Sequence, residues 1–215
     1  MRKLVHRSLS GVALLATGFV LATSLPARAH PHVFVTTETT VLYENGTIVG
    51  LRHNWIFDEL YSANAVEGLD KNKDGKYDRE ELAELAKADI EGLHESSYFT
   101  SPALAGERIK LEAARDYWLE YNDGILSLHF TVPFARPVLA EAKGLTFTIS
   151  DPDFFIAFEF AKNDPITFSK GAPGSCKSSI REQEADQSLA DALQRQFGAF
   201  AVTSTRTATI ECDTP

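Results

Sequence analysis

Residues 33–57 read VFVTTETTVLYENGTIVGLRHNWIF, two runs of β-branched and aromatic residues on either side of Asn45-Gly46. Such residues favour strands, and Asn-Gly is a strong signal for a two-residue hairpin turn. Because successive side chains of a strand point to opposite faces, the alternation in the second run predicts one buried face. That face would comprise Val49, Leu51, His53, Trp55 and Phe57.

The rest of the chain adds strand and helix patterns to this predicted antiparallel hairpin. Strands are predicted at 109–121, 126–134, 145–150, 154–160 and 205–212, and helices at about 58–69, 79–95 and 186–197. The second helix carries an apolar stripe at helical spacing, formed by Leu82, Leu85, Ala86, Ile90 and Leu93. We therefore expect an α+β fold, an antiparallel, β-rich domain with a helix–loop–helix insert at about 58–95 and a short C-terminal helix.

The first 29 residues have the three parts of an export signal. A basic opening at 2–7 precedes an apolar stretch at 9–25, and an Ala-x-Ala cleavage site ends at Ala29. Cleavage there would leave residues 30–215 as a single periplasmic domain without a membrane span, and an uncleaved anchor helix is the alternative. Because the leader holds four basic residues and no acidic one, cleavage would lower the formal net charge from −9 to −13.

The net charge limits the kinds of partner that the protein can bind, and the cysteine pair bears on its redox compartment. An acidic surface disfavours nucleic acid, because phosphate binding needs basic side chains, and it favours cations. The two cysteines, Cys176 and Cys212, are predicted to form a disulfide, since paired cysteines in an exported protein are normally oxidised. A disulfide that closes the loop between these two cysteines would stabilise the fold by about 3–4 kcal/mol.

Residues 70–81 read DKNKDGKYDREE and match the D-x-[DN]-x-[DN]-G-x5-E pattern of an EF-hand calcium loop at every fixed position. Gly75 stands where the loop must turn sharply, and predicted helices flank the loop on both sides. The predicted Ca²⁺ ligands, with a backbone carbonyl at the seventh position and side chains elsewhere, are Asp70, Asn72, Asp74, Lys76, Asp78 and Glu81. The chain holds no second loop of this kind, so a structural calcium site is expected rather than a switching sensor; an acidic turn is the alternative.

His30-Pro31-His32 would form the new N-terminus after cleavage. Residues i and i+2 of a strand share a face, so both imidazoles, with the freed amine of His30, could bind Zn²⁺, Ni²⁺ or Cu²⁺. Pro31 has no N–H and therefore excludes a square-planar site that uses the second amide. His53 is the predicted third ligand, with a satisfied core histidine as the alternative, and a solvated N-terminus is the alternative for the pair.

The other polar residues suggest no catalytic centre. The sequence has no G-x-S-x-G, P-loop or H-E-x-x-H pattern, so no catalytic residue is assigned. The acidic pairs Asp58-Glu59 and Asp151/Asp153 are expected to cap helices or form turns. His94 is expected at a helix C-terminus, and His129 on a solvated strand face.

Five segments together resemble a known family. They are HPHVFV at 30–35, RHNWIFDELYS at 52–62, the loop at 70–81, YFT at 98–100 and SDPDFFIAF at 150–158. In this order they resemble the periplasmic family called domain of unknown function 1007, with Phe34 where the family pattern suggests Trp. The resemblance implies a periplasmic component of a transport system, commonly one for nickel, cobalt or zinc.

The sequence thus predicts an exported transition-metal-binding accessory protein with one structural calcium site. Its expected partners are metal ions and a membrane metal transporter. Two alternatives stay open at this point. One is a mono-copper redox enzyme in which the amine and ring of His30 form a histidine brace, and the other is a calcium-dependent interaction module without a transition metal.

Overall fold

A computed structural model describes residues 31–184 and 204–213. The predicted leader at 1–29, His30 and the predicted helix at 186–197 lie outside these ranges. The strands are β1 Val33–Glu44, β2 Thr47–Phe57, β3 Thr100–Leu104, β4 Glu107–Arg108, β5 Arg115–Asn122, β6 Ile125–Leu139, β7 Leu145–Ile149, β8 Ile156–Phe160, β9 Ile166–Phe168, β10 Lys177–Glu184 and β11 Ser204–Glu211. The helices are α1 Glu59–Ala65 and α2 Ala83–Glu95, followed by a 3₁₀ turn at Ser97–Phe99.

The described strands form two sheets around one core. The larger sheet has the order β5-β6-β2-β1-β8, with β9 also paired to β1, and the smaller has the order β10-β11-β7-β3-β4. Side chains of both sheets belong to one buried cluster, and Phe147 of the smaller sheet contacts Phe160 of the larger. These strands and the two helices confirm a β-rich α+β domain.

The hairpin of β1 and β2 forms as predicted, and β2 lies between β1 and β6. Leu51, His53, Trp55 and Phe57 are all buried, whereas Val49 is half-exposed. The alternation fails at Val49 because the pairing of β2 with β6 shifts between Ile48 and Gly50. A Cβ at position 50 would lie 2.6 Å from the carbonyl oxygen of Val132, so only glycine allows the strands to approach so closely here.

The expectation of a wholly antiparallel arrangement is wrong for the larger sheet. Strands β8 and β9 both pair with β1 in the parallel sense. The chain reaches β8 from β7 in the other sheet, so no tight hairpin sets its direction. The sheet is therefore mixed, with an antiparallel centre and a parallel edge.

Several strand boundaries also differ from the predictions. The strand expected at 109–121 begins only at Arg115, and β3, β4, β9 and β10 were not predicted. The apolar alternation of the next strand is confirmed, because Leu126, Leu128, Phe130, Val132 and Phe134 are all buried. Short strands with few branched residues, such as the TSPAL of β3, carry too weak a pattern to be recognised from sequence.

The predicted disulfide is confirmed, since Cys176 and Cys212 are bonded across 36 positions of the chain. Cys212 lies 2% exposed at the end of β11, and Cys176 precedes β10. The bond therefore closes the end of this strand pair. No helix in the described parts of the chain is long and apolar enough to cross a membrane.

The helical segment lies between β2 and β3, as expected. Asp58 caps α1 by accepting a hydrogen bond from the Tyr61 amide at 2.9 Å, and its second oxygen accepts from the Phe34 amide at 2.8 Å. Helix α2 begins at Ala83 rather than at 79, and residues 79–82 before it form a turn in which the Asp78 carboxylate accepts from the amides of Glu80 and Glu81.

Asp89 of α2 is half-buried, and its charge acts on Tyr61 of α1. Its Oδ2 has no hydrogen-bond partner in the part of the chain that the structure describes, and burial raises the pKa of the carboxyl to about 6. Burial also raises the pKa of Tyr61 in α1 to about 12, and the charges of Asp89 and Asp58 contribute to this shift. The helical pair thus contains a carboxylate that is poorly solvated when charged.

We predict that Asp89→Asn stabilises the protein at pH 7.5 by at most about 3 kcal/mol. The folded protein binds the Asp89 proton more tightly than the unfolded chain does. The bound proton therefore stabilises the fold fully below pH 3.8, the pKa of Asp89 in the unfolded chain, and this stabilisation is lost as pH rises through about 6, the pKa in the folded protein. Urea unfolding from pH 4 to 8 should show a flatter profile for the variant. Glu91→Gln, on the exposed surface of the same helix, is the control. A wild-type profile that the Asn substitution leaves unchanged would contradict the prediction.

Candidate metal sites

The loop at 70–81 closes on its own last residue. Glu81 is 7% exposed, although every neighbour from Asp78 to Glu80 is exposed. Its Oε1 accepts from the amides of Lys71 at 2.7 Å and Asn72 at 3.2 Å, and its Oε2 accepts from the Asp78 amide at 3.2 Å. Both oxygens of the last carboxylate therefore lie inside the loop.

The other predicted calcium ligands also bind backbone amides. Asp70 accepts from the amides of Asp74 and Gly75 at 3.2 and 3.0 Å, and Asn72 accepts from the Asp74 amide at 2.8 Å. Asp74 in turn accepts from the Lys76 amide at 2.8 Å. The oxygens predicted as ligands thus organise the turn by hydrogen bonds to successive amides.

The backbone takes the turn that the motif requires. Gly75 has φ +78°, a conformation that side chains rarely adopt, and Lys73 also has positive φ at 61°. In residues 31–184 and 204–213, no three His, Cys, Asp or Glu side chains are grouped closely enough to hold a metal ion. The loop geometry is therefore that of a tightly hydrogen-bonded acidic turn.

The end of the loop is docked on the edge of the larger sheet. The Tyr77 ring packs against Tyr121 of β5 with 4.9 Å between centroids, and the Arg79 guanidinium lies 4.8 Å from the centre of the Trp118 ring. The conformation of the loop is thus connected to β5.

His32 is exposed just before β1. Its amide donates to the carbonyl of Phe155 at 2.8 Å, and its ring lies 4.9 Å from the Phe155 ring. The backbone is thus fixed at this point while the imidazole faces solvent. His30, its predicted partner, precedes the described residues.

His53 is completely buried between the sheets, with its ring 5.1 Å from Phe130. The Thr100 hydroxyl donates to the Tyr98 carbonyl at 2.8 Å, so at 3.3 Å its oxygen accepts from Nε2–H of His53. Nδ1 then accepts from the Thr39 hydroxyl at 3.0 Å. Both ring nitrogens therefore have partners, and burial lowers the pKa of His53 to about 3.

The structure does not bring His53 and His32 together. His53 lies opposite Thr39 in the hairpin, seven positions along the chain from His32. At roughly 3.3 Å per strand residue, this separates the two by about 23 Å along β1. The hairpin pairs the two strands as expected, but its register places the predicted third ligand in the core.

We predict that His53 stays neutral from pH 8 to pH 5, because no water reaches the ring to solvate an added charge. Two-dimensional ¹⁵N–¹³C spectra of the imidazole should show the Nε2–H tautomer throughout this range. A resonance of His53 that moves to the doubly protonated position near pH 6 would contradict the buried environment described above.

The surroundings of His129 differ from the solvated strand face that was expected. Its ring stacks on Trp118, with 4.6 Å between centroids and 10° between planes, and its Nε2 lies 3.2 Å from Oε2 of Glu120. Burial lowers the pKa of His129, and Arg79 adds to this effect, while Glu120 and Glu38 oppose it. The alternation of β6 indicated which face His129 occupies, but only the register of β5 shows its neighbours.

The two acidic pairs have structural roles, as expected. Asp58 caps α1, and the buried Asp151 accepts hydrogen bonds from the amides of Asp153, Phe155 and Ile156 at 2.9–3.0 Å. The segment SDPDFF thus forms a turn around one carboxylate.

The sequence matches the model of one protein family over most of its length. A family model described as "Protein of unknown function (DUF1007)" matches residues 15–210. The chain belongs to this family. An "Uncharacterized protein" of Haemophilus influenzae (strain ATCC 51907 / DSM 11121 / KW20 / Rd) is 25% identical over 167 residues, which cover 77% of this chain and 79% of the relative.

A second relative is similar to a shorter part of the chain. The "Uncharacterized 15.5 kDa protein in trpE 3'region" of Spirochaeta aurantia is 28% identical over 108 residues, 49% of this chain and 76% of that protein. The names of these relatives describe no ligand or activity.

Proposed function

We propose that this protein is an exported metal-binding accessory protein of a nickel, cobalt or zinc transport system, and that one calcium ion holds its helical insert. The observation that carries the calcium part is the closed loop at 70–81, in which Glu81 directs both carboxylate oxygens back into the turn. The transport role rests on the family resemblance and on the two histidines near the predicted N-terminus.

The loop supplies the chemistry that Ca²⁺ prefers. Asp70, Asp74, Asp78 and Glu81 place four carboxylates within twelve residues, and Asn72 and the carbonyl of Lys76 add neutral oxygens. Each carboxylate oxygen has two lone pairs, so the oxygens that accept from a single backbone amide, which include both oxygens of Asp70 and Oε2 of Glu81, keep a further lone pair for a cation. A bound cation would also offset the mutual repulsion of these charges.

The surroundings of the loop favour a structural role for this ion. Lys71, Lys73 and Lys76 are exposed and form no ion pair with the carboxylates of the loop, all of which the structure describes. Tyr77 and Arg79 connect the loop to β5. Calcium would therefore fix the angle of the helices and the contact of the insert with the sheet.

We predict that Ca²⁺ binds with a Kd on the order of 10⁻⁴–10⁻³ M, the range of extracellular modules. Each tenfold excess of Ca²⁺ over Kd should then add about 1.4 kcal/mol of stability. Glu81→Gln should weaken binding most, because it removes a carboxylate that can contribute both oxygens, and Mg²⁺ should substitute poorly. Titration calorimetry and melting curves in Ca²⁺ against chelator measure these effects.

The matched control for this experiment is Glu80→Gln. Glu80 is the exposed neighbour of Glu81 and stands at position eleven of the loop, which contributes no ligand in the motif. Its affinity for Ca²⁺ should equal that of the wild type. A melting temperature that ignores millimolar Ca²⁺, with no heat of binding, would show that residues 70–81 form only an acidic turn.

The transition-metal part of the proposal uses the imidazoles of His30 and His32 with the α-amine of His30. The hydrogen bond between His32 N–H and Phe155 supports it, because it anchors the backbone while leaving the ring accessible. His53 is no longer part of the proposed set, since its two nitrogens bind threonine hydroxyls.

We predict that the His30→Ala/His32→Ala variant binds Zn²⁺, Ni²⁺ and Cu²⁺ at least tenfold more weakly than the wild type at this N-terminal site. Acid should weaken wild-type binding, because protons compete with the metal for imidazole nitrogen. Competition with a coloured chelator measures the affinity. A variant with one alanine added before His30 is the control, because it moves the α-amine away and leaves both imidazoles, and so separates their contributions to the affinity. Unchanged affinity in the double variant would refute the N-terminal site.

A calcium-dependent interaction module without a transition metal is the second candidate. It is favoured by three exposed apolar side chains near the start of β1, Phe34 at 53%, Leu60 at 73% and Phe155 at 54% exposed. Exposed apolar groups of this kind are found at protein interfaces. Calcium binding in a protein that binds no Zn²⁺, Ni²⁺ or Cu²⁺ would select this candidate over the first.

A further inference from the structure

The edges of the two sheets differ in how they are protected from pairing with another chain. Among the residues that the structure describes, β4, β5, β8, β9 and β10 each have one side without a neighbouring strand. Four of the eight residues of β10 are charged, β4 and β9 have only two and three residues, and the pairing of β5 shifts between Arg115 and Trp118. Charge, short length and irregular pairing are features by which proteins prevent the addition of unwanted strands.

Strand β8 has none of these protective features. Its sequence from 156 to 160 is IAFEF, with one charged residue and no proline or lysine, and its parallel pairing with β1 is regular. Five residues is also a usual length for a strand that pairs on both sides. Of the edges that the structure describes, β8 is therefore the one that is open to a further strand.

The bonds between β8 and the chain of β1 show which backbone groups face outward. The carbonyl of Phe155 accepts an amide hydrogen from this chain at 2.8 Å, and the amide of Ala161 donates to it at 3.0 Å. Alternate residues of a strand direct their N–H and C=O to the same side, so the residues at 157 and 159 also face β1. The N–H and C=O groups that point away belong to Ile156, Phe158 and Phe160.

Most of these outward groups are unpaired. Asp151 Oδ2 accepts from the Ile156 amide at 2.9 Å, which closes one end of the edge. The amides of Phe158 and Phe160 have no hydrogen-bond partner in residues 31–184 and 204–213. A row of unpaired backbone groups is the template to which an added strand binds.

The core-facing side chains of β8 are also incompletely covered. Val33, Val35 and Thr37 of β1 are 7%, 2% and 1% exposed, whereas the residues opposite them in β8 are half-exposed. Phe158 packs against the buried Trp55 with 4.9 Å between ring centroids, and yet part of its ring reaches solvent. A strand beyond β8 would cover the apolar side chains at this edge, which are those of Ile156, Phe158 and Phe160.

The charge around the edge is negative. Glu159 points to the outer face of β8, is exposed and forms no ion pair with the described residues. From 151 to 164 the chain has four acidic residues and a single basic one, Lys162. An edge of this kind attracts a basic segment and repels an acidic one.

We propose that β8 binds an extended segment of a partner protein as an added strand, and that this segment alternates apolar with basic residues. Its backbone pairs with the free groups of Phe158 and Phe160, its apolar side chains cover the edge of the core, and a basic side chain lies beside Glu159. A second copy of this chain fits less well, because it brings its own Glu159 and a formal net charge of −9 to an acidic edge.

This inference goes beyond metal binding and does not depend on it. Strand β8 shares no residue with the loop at 70–81 or with the N-terminal histidines. The experiment is therefore done in the presence of a chelator, so that its result is separate from the outcome of either metal proposal.

The test uses the full chain and a short peptide of alternating valine and lysine as the probe. Hydrogen exchange at single amides is followed by NMR with and without the peptide. The amides of Phe158 and Phe160 should exchange at least tenfold more slowly when the peptide is saturating. The amides of Ala157 and Glu159 should be protected in both samples, because they already bond to β1.

The charge preference is tested with Glu159→Lys. This variant should weaken binding of the valine–lysine peptide about fivefold and strengthen binding of a valine–glutamate peptide, because cross-strand pairs of opposite charge stabilise and like charges repel. Glu107→Lys is the matched control, since it reverses an exposed glutamate on the edge strand β4 of the other sheet. It should leave both affinities unchanged.

Three results would overturn the proposal. Slow exchange of Phe158 and Phe160 in the dilute protein alone would show that the edge is already covered by this chain. Protection that rises with protein concentration in the absence of peptide would assign the edge to a second copy. Exchange that stays fast at these two amides in millimolar valine–lysine peptide would show that β8 does not accept such a strand.

Discussion

The pairing of β2 with β1 on one side and β6 on the other is the constraint on which the rest of the structure depends. Its register sets Leu51, Trp55 and Phe57 into the core, and it turns Arg52 and Asn54 outward. A slip by one residue would exchange these two groups of side chains. The close approach at Gly50 limits such a slip, because a side chain there would collide with β6. The core and the polar outer surface are thus two faces of one hydrogen-bonded ladder.

Much of this architecture could be predicted from sequence where a strong periodic pattern coincides with a clear turn. Asn45-Gly46 and the alternation from Leu51 to Phe57 identified the first hairpin, and the two cysteines identified the disulfide. The parallel pairing of β8 could not be predicted, because direction in a sheet depends on the path between elements rather than on their composition. The short strands were not predicted for a related reason, since three to five residues contain too few repeats of the apolar–polar alternation.

The histidines show the same limit at the level of single side chains. The pattern of β2 correctly placed His53 on the apolar face, but the two threonines that satisfy its nitrogens come from β1 and β3. His129 was correctly assigned to the opposite face of its strand, yet Trp118 and Glu120 exclude most of the water expected around it. Periodicity identifies a face, and only the register between distant strands identifies what a side chain meets there.

The parallel contact between β1 and β8 has a consequence for the order of folding. Strand β1 can pair with β2 as soon as the hairpin exists, but its other edge is covered only by residues 156–168, more than a hundred positions later. Until then a chain with this topology exposes a long, unpaired strand edge rich in valine and threonine, the kind of surface that joins to other chains. Distant contacts of this kind also slow folding. A chain in which residues 156–168 have not yet been synthesised is therefore prone to associate with other copies through the free edge of β1.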